Sequence, residues 1–510
     1  MTSLNTICFN GLEAQQIKVQ VQISNGLPNF TIVGLADKTV SEARERIRGA
    51  FNSMGLALPP KRIVVNLSPA DVYKEGAHFD LPIACALLVV LGIIPEDLVQ
   101  NYFILGELSL DNKVVPVSGI LPSSLFALKT RNKDDTGFMG IICPKSQAKD
   151  AGYTGVQNII AVDSLSELVD YFRSEKVIPK FESRMELTEK FNVDMNDVIG
   201  QKRAKRALEI AATGGHHMLL KGPPGAGKSM LVERLITILP PLTRDEILEL
   251  SMIYSLAGVL KNTGLQTVRP FRSIHHTASN IALVGGGPKA TIGEITLAHN
   301  GILFLDELPE FQRSTLEILR QPLESGEITI SRAQNKITYP CNFQLITAMN
   351  PCPCGYFGDP KKQCRKIPMC AEIYQSKISG PLLDRIDIHC NIEAVKPWAS
   401  SSEEDRGDSS SIIRKRVVLS RKMQYDRSQK LYGVDILNSK LSQKQIEKMI
   451  IITSKQRELL SKMCEKIGVS ARGYFRILKM ARTIADIELS DNITEEHLLE
   501  AVSYRISSFN

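Results

Sequence analysis

The sequence predicts an α/β protein in three parts, and three observations carry that prediction. Residues 193–395 alternate apolar strand-like runs with helical stretches, the rhythm of a sheet covered by helices. Residues 1–172 alternate the short runs "IKVQVQI", "NFTIVGL", "RIVVNL" and "YFILGEL" with helical stretches such as "SEARERIRGAFNSMG", the pattern of an α+β domain of its own. From residue 412 to 510 the periodicity is helical with few strand signals. Between these parts lie a charged linker at 173–192, "RSEKVIPKFESRMELTEKFN", and a polar stretch at 396–411, "KPWASSSEEDRGDSSS", which reads as a surface loop. No internal repeat is visible.

The chain has 510 residues, 43% of them hydrophobic and 23% charged, ordinary values for a globular protein of two to four domains. Its start, "MTSLNTICFNGLEAQQ", lacks the basic-then-apolar signature of an export signal. The longest apolar run, "LPIACALLVVLGIIP" from Leu81 to Pro95, falls short of the ~20 residues a bilayer requires and is expected as a buried helix. A cytoplasmic location without membrane contact is therefore expected, with the ten cysteines reduced or metal-bound. The net charge of +7 is unevenly spread: residues 411–482 hold 18 Lys and Arg against 5 Asp and Glu. That block fits either an anionic partner such as nucleic acid or a solvated helical face.

The central part carries the chemistry. In "LLKGPPGAGKSML", Gly222, Pro223, Pro224, Gly225, Ala226, Gly227, Lys228 and Ser229 form a G-x4-G-K-S loop between an apolar strand, "HMLLKG", and a helix, "SMLVERLITIL". Glycines let backbone N–H groups curl around phosphate oxygens; Lys228 meets the β- and γ-phosphates and the Ser229 hydroxyl ligates Mg²⁺, so ATP and Mg²⁺ are the expected cofactors. About eighty residues on, the apolar run Ile302–Leu305 of "GILFLDEL" ends in an acidic pair. Asp306 is expected to hold the metal through water and Glu307 to polarise the attacking water. A third apolar strand, "FQLITAMN", ends in Asn350, which either orients that water or closes a turn.

Two further segments read as hairpins. "LVGGGPKATIGE", residues 283–294, is glycine-rich, and "GEITISRAQNKITYP", residues 326–340, is strand, polar turn, strand. Lys289, Arg332 and Lys336 place cations there, which suits a phosphate backbone, although hairpin tips are polar and solvated by default. Cys352, Cys354, Cys364 and Cys370 crowd into "CPCGYFGDPKKQCRKIPMC". They fit a tetrahedral Zn²⁺ clip, in the non-standard spacing C-x-C-x9-C-x5-C, or four reduced thiols. His275 and His276 read as structural or near the nucleotide, not as metal ligands.

These residues resemble those of AAA+ ATPases, and more narrowly the magnesium-chelatase-like ATPases called YifB or ComM, a competence-associated helicase family. The stretches that carry the resemblance span nearly the whole chain: "VGLADKTVSEARERIR", "NLSPADVYKEGAHFDLPIA", "GELSL", "IGQKRAKRALEIAATGGHHMLLKGPPGAGKSML", "HHTAS", "GEITLAHNGILFLDELPEF", "MNPCPCGYFGD", "SGPLLDRIDIH" and "SARGYFRILKMARTIADIE". The resemblance implies an AAA+ P-loop core at 193–395 and a helical lid at 412–510, like the magnesium chelatase C-terminal part. It implies a domain at 1–172 like ribosomal protein S5 and the Lon protease. In that domain the Lon lysine region reads "LPS", Leu121–Ser123, and the nucleophile region corresponds to "KEGAHFD", without a serine. A Ser–Lys dyad needs both groups, so no peptidase activity is expected, and the domain is left to bind DNA, bind a partner protein or help assemble a ring.

The resemblance also assigns roles. Ile199, Gly200 and Gln201 would pack near the adenine. Arg385 in "LLDRID" matches an arginine finger reaching a neighbouring copy's γ-phosphate, and Arg472 in "SARGYF" matches the sensor-2 arginine of the lid. Each has a plainer reading, a local ion pair between Asp384 and Asp387 for the first and an exposed cation for the second. A finger in trans implies a ring, hence a homo-hexamer. The hairpins match loops that project into the central channel of related helicase rings. In relatives the second cysteine pair is Cys-x-Cys, and Lys366 stands here where one of these would be. The function expected from all this is an ATP hydrolase that translocates on DNA as a helicase or branch-migration motor in transformation or recombination. The alternatives are a chelatase-like ATPase remodelling a protein partner and a non-catalytic nucleotide-dependent scaffold.

Overall fold

A computed structural model of the chain describes residues 2–133, 140–173, 189, 191–260, 264–287, 291–331, 336–355, 357, 368–394 and 406–505. The chain forms two compact units. One comprises Met1–Thr188 together with Thr243–Thr267; the other comprises Glu189–Leu242 and Val268–Asn510.

The first unit is built on a seven-stranded mixed sheet. Its strands run, in spatial order, Asn29–Val33, Arg62–Ser68, Glu13–Ser24, Thr2–Asn10, Tyr102–Ile104, Gly140–Pro144 and Asn158–Val162. Strand alternation divides the side chains between two cores: Leu4 and Cys8 join one with Ile17, Val19 and Phe51, while Ile7 joins the other with Phe103 and Ile141. The apolar run expected as a buried helix forms Asp80–Val90, and every residue from Asp80 to Leu88 is buried. Its one charge, Asp80, is fully buried and takes a two-pronged contact from Arg46 at 2.5 and 2.9 Å. A buried carboxylate without such a partner costs several kcal/mol, on the order of 3–5. Among the described residues no helix is long and apolar enough to cross a membrane.

The helix Arg244–Leu256 is the surprise of this unit. It follows the P-loop helix in the chain yet packs against Ile120–Lys133, and the Ser255 hydroxyl accepts from the Gly119 N–H at 3.2 Å. A capping box at Thr243 and Glu246 starts it. Sequence order alone assigns this segment to the central part.

The second unit holds a five-stranded, wholly parallel sheet. Its spatial order is Phe271–Ile274, Ile302–Leu305, Gln344–Met349, Met218–Lys221, Ile388–Asn391. Being covered on both faces, these strands read as unbroken apolar runs: all four residues of Ile302–Leu305 and all six of Gln344–Met349 are buried. Numbered along the chain, the order is 5-1-4-3-2, with the P-loop strand between the fourth and the fifth. After Asn391 the remaining described elements are helical, the longest being Ser410–Tyr432 and Ala471–Ile487.

A buried polar network fastens those helices to the sheet. His216 contacts Asp387 Oδ2 at 3.1 Å and Thr483 Oγ1 at 2.9 Å, and Arg476 pairs with Asp387. Burial alone would raise the Asp387 carboxyl, but Arg476 and His216 hold it well below the usual range. Much of the basic block turns out to be structural in the same way. Arg416 pairs with Glu209 and Asp408, Arg427 and Arg482 with Asp486, and Arg414 with Glu189. These cations balance carboxylates within their own unit, which a charge count along the chain does not reveal.

Candidate nucleotide site

The strand Met218–Lys221 ends at a loop that only its glycines allow. Gly225 and Gly227 have φ of +75° and +84°, and Gly222 passes so close to Ile392 that a Cβ would lie 2.4 Å from its carbonyl oxygen. The helix Lys228–Ile238 starts directly from Gly227, so its free N–H groups and dipole point into the loop. Loop, helix start and two neighbouring strand ends enclose a cavity of about 370 Å³ lined by residues 224–230, Asp306, Glu307, Met349 and Asn350.

Lys228 lies across this cavity. Its Nζ donates to Gly222 O at 2.8 Å, Pro223 O at 2.9 Å and Asn350 Oδ1 at 2.9 Å. Burial lowers its pKa, against the pull of Asp306 and Glu307. The Ser229 hydroxyl donates to Asp306 Oδ2 at 2.9 Å, while Asp306 Oδ1 accepts from the Glu307 N–H at 2.9 Å. Hydroxyl and carboxylate thus stand side by side at the helix start, a donor set of hard oxygens that fits Mg²⁺. Ser229 and Asp306 would hold Mg²⁺ there, and the ion would supply positive charge to offset that of a bound phosphate. Glu307 sits in the left-handed region, φ +53°, with its half-exposed carboxylate 3.5 Å from His276 Nδ1.

Of the residues singled out in the sequence, the P-loop, Asp306, Glu307 and Asn350 therefore converge on one cavity. Gln201 lies beside it: its side-chain amide donates to Ala226 O at 3.2 Å and Glu393 O at 2.7 Å, tying the loop to the chain after the edge strand. Met230 and Met349 also line the cavity and carry no motif that would have found them.

Arg385 and Arg472 are elsewhere. The strands Met218–Lys221 and Ile388–Asn391 pair in register from Met218↔Ile388 to Lys221↔Asn391. Gly222 follows one strand and Arg385 precedes the other, so they sit beyond opposite ends of a ladder about 13 Å long. Arg385 is 5% exposed, pairs with Glu324, and donates from Nη1 to Pro381 O at 2.6 Å. Arg472 is exposed in the first turn of Ala471–Ile487. That helix is anchored at the Arg385 end: Arg476 Nη1 donates to Arg385 O at 3.1 Å, and Ser470 Oγ to Asp384 Oδ2 at 3.5 Å.

The two hairpins are present as Gly285–Gly286 with Thr291–Ile292, and Glu327–Ser331 with Lys336–Pro340. They pack together, since a Cβ on Gly285 would meet Ile330 Cδ1 at 3.0 Å. Lys336 is exposed; Lys289 and Arg332 lie outside the described residues. Three of the four clustered cysteines, Cys352, Cys354 and Cys370, bring their sulfurs within 4.8 Å of one another, with Cys352 and Cys354 at 3.1 Å. Cys364 lies outside the described residues. Tetrahedral zinc with bonds of ~2.3 Å sets its sulfurs about 3.8 Å apart; three thiols within 4.8 Å of one another are the right kind of donor for it, and Cys352 and Cys354 would have to part from 3.1 Å to share one ion.

Sheet order, phosphate loop, acidic strand end and polar strand end together define a P-loop ATPase of the AAA+ type. The magnesium chelatase subunit ChlI family matches residues 194–399, a further ChlI subunit family matches 19–147, and the ChlI C-terminal family matches 407–505. The chain is 42% identical over 495 residues to the uncharacterized protein YifB of Salmonella typhimurium, covering 97% of this chain and 95% of that one. It is 40% identical over 500 residues to the competence protein ComM of Haemophilus influenzae, again covering 97% and 95%. The magnesium-chelatase 38 kDa subunit of Rhodobacter capsulatus is 24% identical over 335 residues, covering 61% of this chain and 85% of that subunit. The chain belongs to the YifB/ComM family of magnesium-chelatase-like proteins.

Proposed function

We propose that this chain is an Mg²⁺-dependent ATPase that works as a cytoplasmic homo-hexameric ring and translocates on DNA as a helicase or branch-migration motor. The observation that carries the ring is the separation of Arg385 from its own P-loop by the full length of the paired strands. A guanidinium beyond the far end of the sheet serves a γ-phosphate only when a second copy presents that phosphate. Arg472, at the same end, would serve the same neighbouring nucleotide, as the sensor-2 arginine of a helical lid formed by 412–510. Within each copy, Lys228 and Ser229 would hold the triphosphate and metal, with Asp306 beside them as a further metal-holding group, Glu307 would accept the proton of the attacking water, and Asn350 would orient that water.

DNA is the favoured substrate because two hairpins packed on one another offer Lys336, Lys289 and Arg332 near their turns, and because one relative is named a competence protein. The domain at 1–172, like ribosomal protein S5 and non-proteolytic, would bind a partner or DNA. The thiols of Cys352, Cys354 and Cys370, with Cys364 beyond the described residues, would hold a structural Zn²⁺. ATPase rates with and without single-stranded or forked DNA, with Glu307→Gln as control, test the reading. Strong stimulation with strand displacement supports it. Indifference to every DNA favours instead the remodelling of a protein partner, a reading the similarity to a magnesium-chelatase subunit supports.

A further inference from the structure

The Arg385 guanidinium is held by a single carboxylate, and it is not one of its neighbours in the chain. Asp387 is taken by Arg476 and His216, and Asp384 Oδ2 accepts from Ser470 Oγ at 3.5 Å. Among the described residues the carboxylate partner of Arg385 is Glu324, 61 positions earlier, which meets Nη2. Nη1 donates to Pro381 O at 2.6 Å, and the buried Nε has no hydrogen-bond partner.

The two ends of this pair are unequal. Arg385 is buried, whereas the Glu324 side chain is 55% exposed. Parting them leaves the carboxylate in water, where it is well solvated. It leaves the guanidinium, while still buried, without the one charge that offsets its burial. Both backbones are fixed. The Arg385 N–H donates to Leu382 O at 3.0 Å, and its carbonyl accepts from Arg476 Nη1 at 3.1 Å. Glu324 lies in the helix Arg320–Ser325, whose end is tied to the hairpin strand by the Cys341 N–H on Gly326 O at 2.8 Å. Side-chain rotation, rather than a backbone shift, is what separates the two.

We propose that Glu324 is a positioning residue: it keeps the Arg385 guanidinium withdrawn inside its own copy until a neighbouring copy presents a γ-phosphate, which takes the carboxylate's place. This rests on the reading of Arg385 as a finger in trans. A guanidinium fork bonds phosphate oxygens as well as it bonds a carboxylate, and a terminal phosphate carries more negative charge. The exchange therefore favours release only when that phosphate is present, and a neighbour holding a diphosphate or nothing leaves the finger withdrawn. Removing the charge of Glu324 removes the restraint, because a buried guanidinium without a counter-ion gains by moving out to solvent or phosphate.

The test is single-turnover ATP hydrolysis by the full chain in wild type, Glu324→Gln, Glu324→Ala, Arg385→Ala, and Glu324→Gln combined with Arg385→Ala. Gln and Ala are expected to raise the hydrolysis rate by up to about tenfold, the scale of one charge-assisted hydrogen bond discounted for a half-exposed carboxylate. Nucleotide affinity should stay unchanged, since the finger acts in the transition state. The gain should vanish in the combined variant, which should match Arg385→Ala. Mixtures of Arg385→Ala with Lys228→Ala subunits locate the effect. Glu324→Gln should raise their turnover when carried on the Lys228→Ala copy, which donates the finger, and not when carried on the other. With Arg385 essential, an unchanged or lowered rate in Glu324→Gln sinks this proposal alone, as does a gain that persists without Arg385 or follows the wrong copy. Full turnover in Arg385→Ala, or mixtures that stay silent, removes the finger in trans and this proposal with it.

Discussion

Lys228 Nζ donates to Asn350 Oδ1 at 2.9 Å, across the mouth of the phosphate loop. The two residues are 122 positions apart and meet because the strands Met218–Lys221 and Gln344–Met349 pair side by side. The ammonium completes its coordination with the carbonyls of Gly222 and Pro223, so an arriving phosphate replaces neutral acceptors with charged ones. Asn350→Ala should therefore leave ATP affinity within a few-fold while lowering kcat by about 10²-fold, the scale of losing one oriented polar group at the reacting centre. Lys228→Ala should abolish nucleotide binding itself. Fluorescent-nucleotide titration beside steady-state turnover separates the two; equal loss of affinity in both variants would contradict this division of labour.

The contact from Ser229 Oγ to Asp306 Oδ2 marks the cation site. Asp306→Asn keeps the shape and an acceptor but removes a charge, which should raise the Mg²⁺ concentration for half-maximal turnover by about tenfold or more. A magnesium titration at saturating ATP reads this directly. An unchanged midpoint would remove Asp306 from the metal's surroundings.

If Arg385 serves only a neighbour, Arg385→Ala and Lys228→Ala subunits should each be inactive alone and regain turnover when mixed. At equal amounts roughly a quarter of the interfaces would combine an intact phosphate loop with an intact finger. Mixed samples that stay inactive after exchange of subunits would argue against sharing. The burial of Arg385 against Glu324 adds that it must leave this pair to act.

What the sequence disclosed follows from physics that is local along the chain. "HMLLKG", "GILFLDEL" and "FQLITAMN" were legible because strands buried on both faces admit almost no polar residue, and the residues ending them are the chemistry. The hairpin at Glu327–Pro340 was legible from its polar turn. What stayed hidden depends on contacts between distant segments. The helix Arg244–Leu256 looks like any amphipathic helix after a P-loop, and only tertiary packing assigns it to the first unit. Arg416 and Arg427 count as free charge until Glu209 and Asp486 are found opposite them. His276 reads as one of a histidine pair; its carboxylate partner is 31 positions away.

Cys352→Ser and Cys370→Ser address the thiol cluster. Full-length protein purified without chelator should carry one zinc per chain by elemental analysis, and either substitution should lose most of it. Replacement with Co²⁺ should give the intense near-ultraviolet thiolate band and the visible bands of a tetrahedral site. The Cys352–Gly355 turn packs against Pro224, where a Cβ on Gly355 would lie 2.4 Å from the proline ring. Metal loss should therefore also weaken nucleotide binding. Metal-free wild type with Cys354 and Cys370 open to a thiol reagent would end the zinc assignment.

Asp150 makes the stability of the first unit depend on pH. It is buried, its Oδ1 has no hydrogen-bond partner, and burial raises its pKa from 3.8 to about 6 against the opposing N–H of Gly264. The folded state thus binds this proton more tightly than the unfolded chain, whose carboxyl titrates near 3.8. The stabilisation is fully present below about pH 4 and is lost as pH rises through about 6, leaving a buried charge above it. Asp150→Asn has no proton to lose, so it should be more stable than wild type at pH 8 by about 1–2 kcal/mol, the full linkage value reduced for partial solvent screening. For a unit of this size that is a rise of about 2–8 °C in the first unit's unfolding temperature. The difference should shrink on going to pH 5. Parallel unfolding curves for the two proteins from pH 5 to 8 would show that Asp150 stays solvated and ionised throughout.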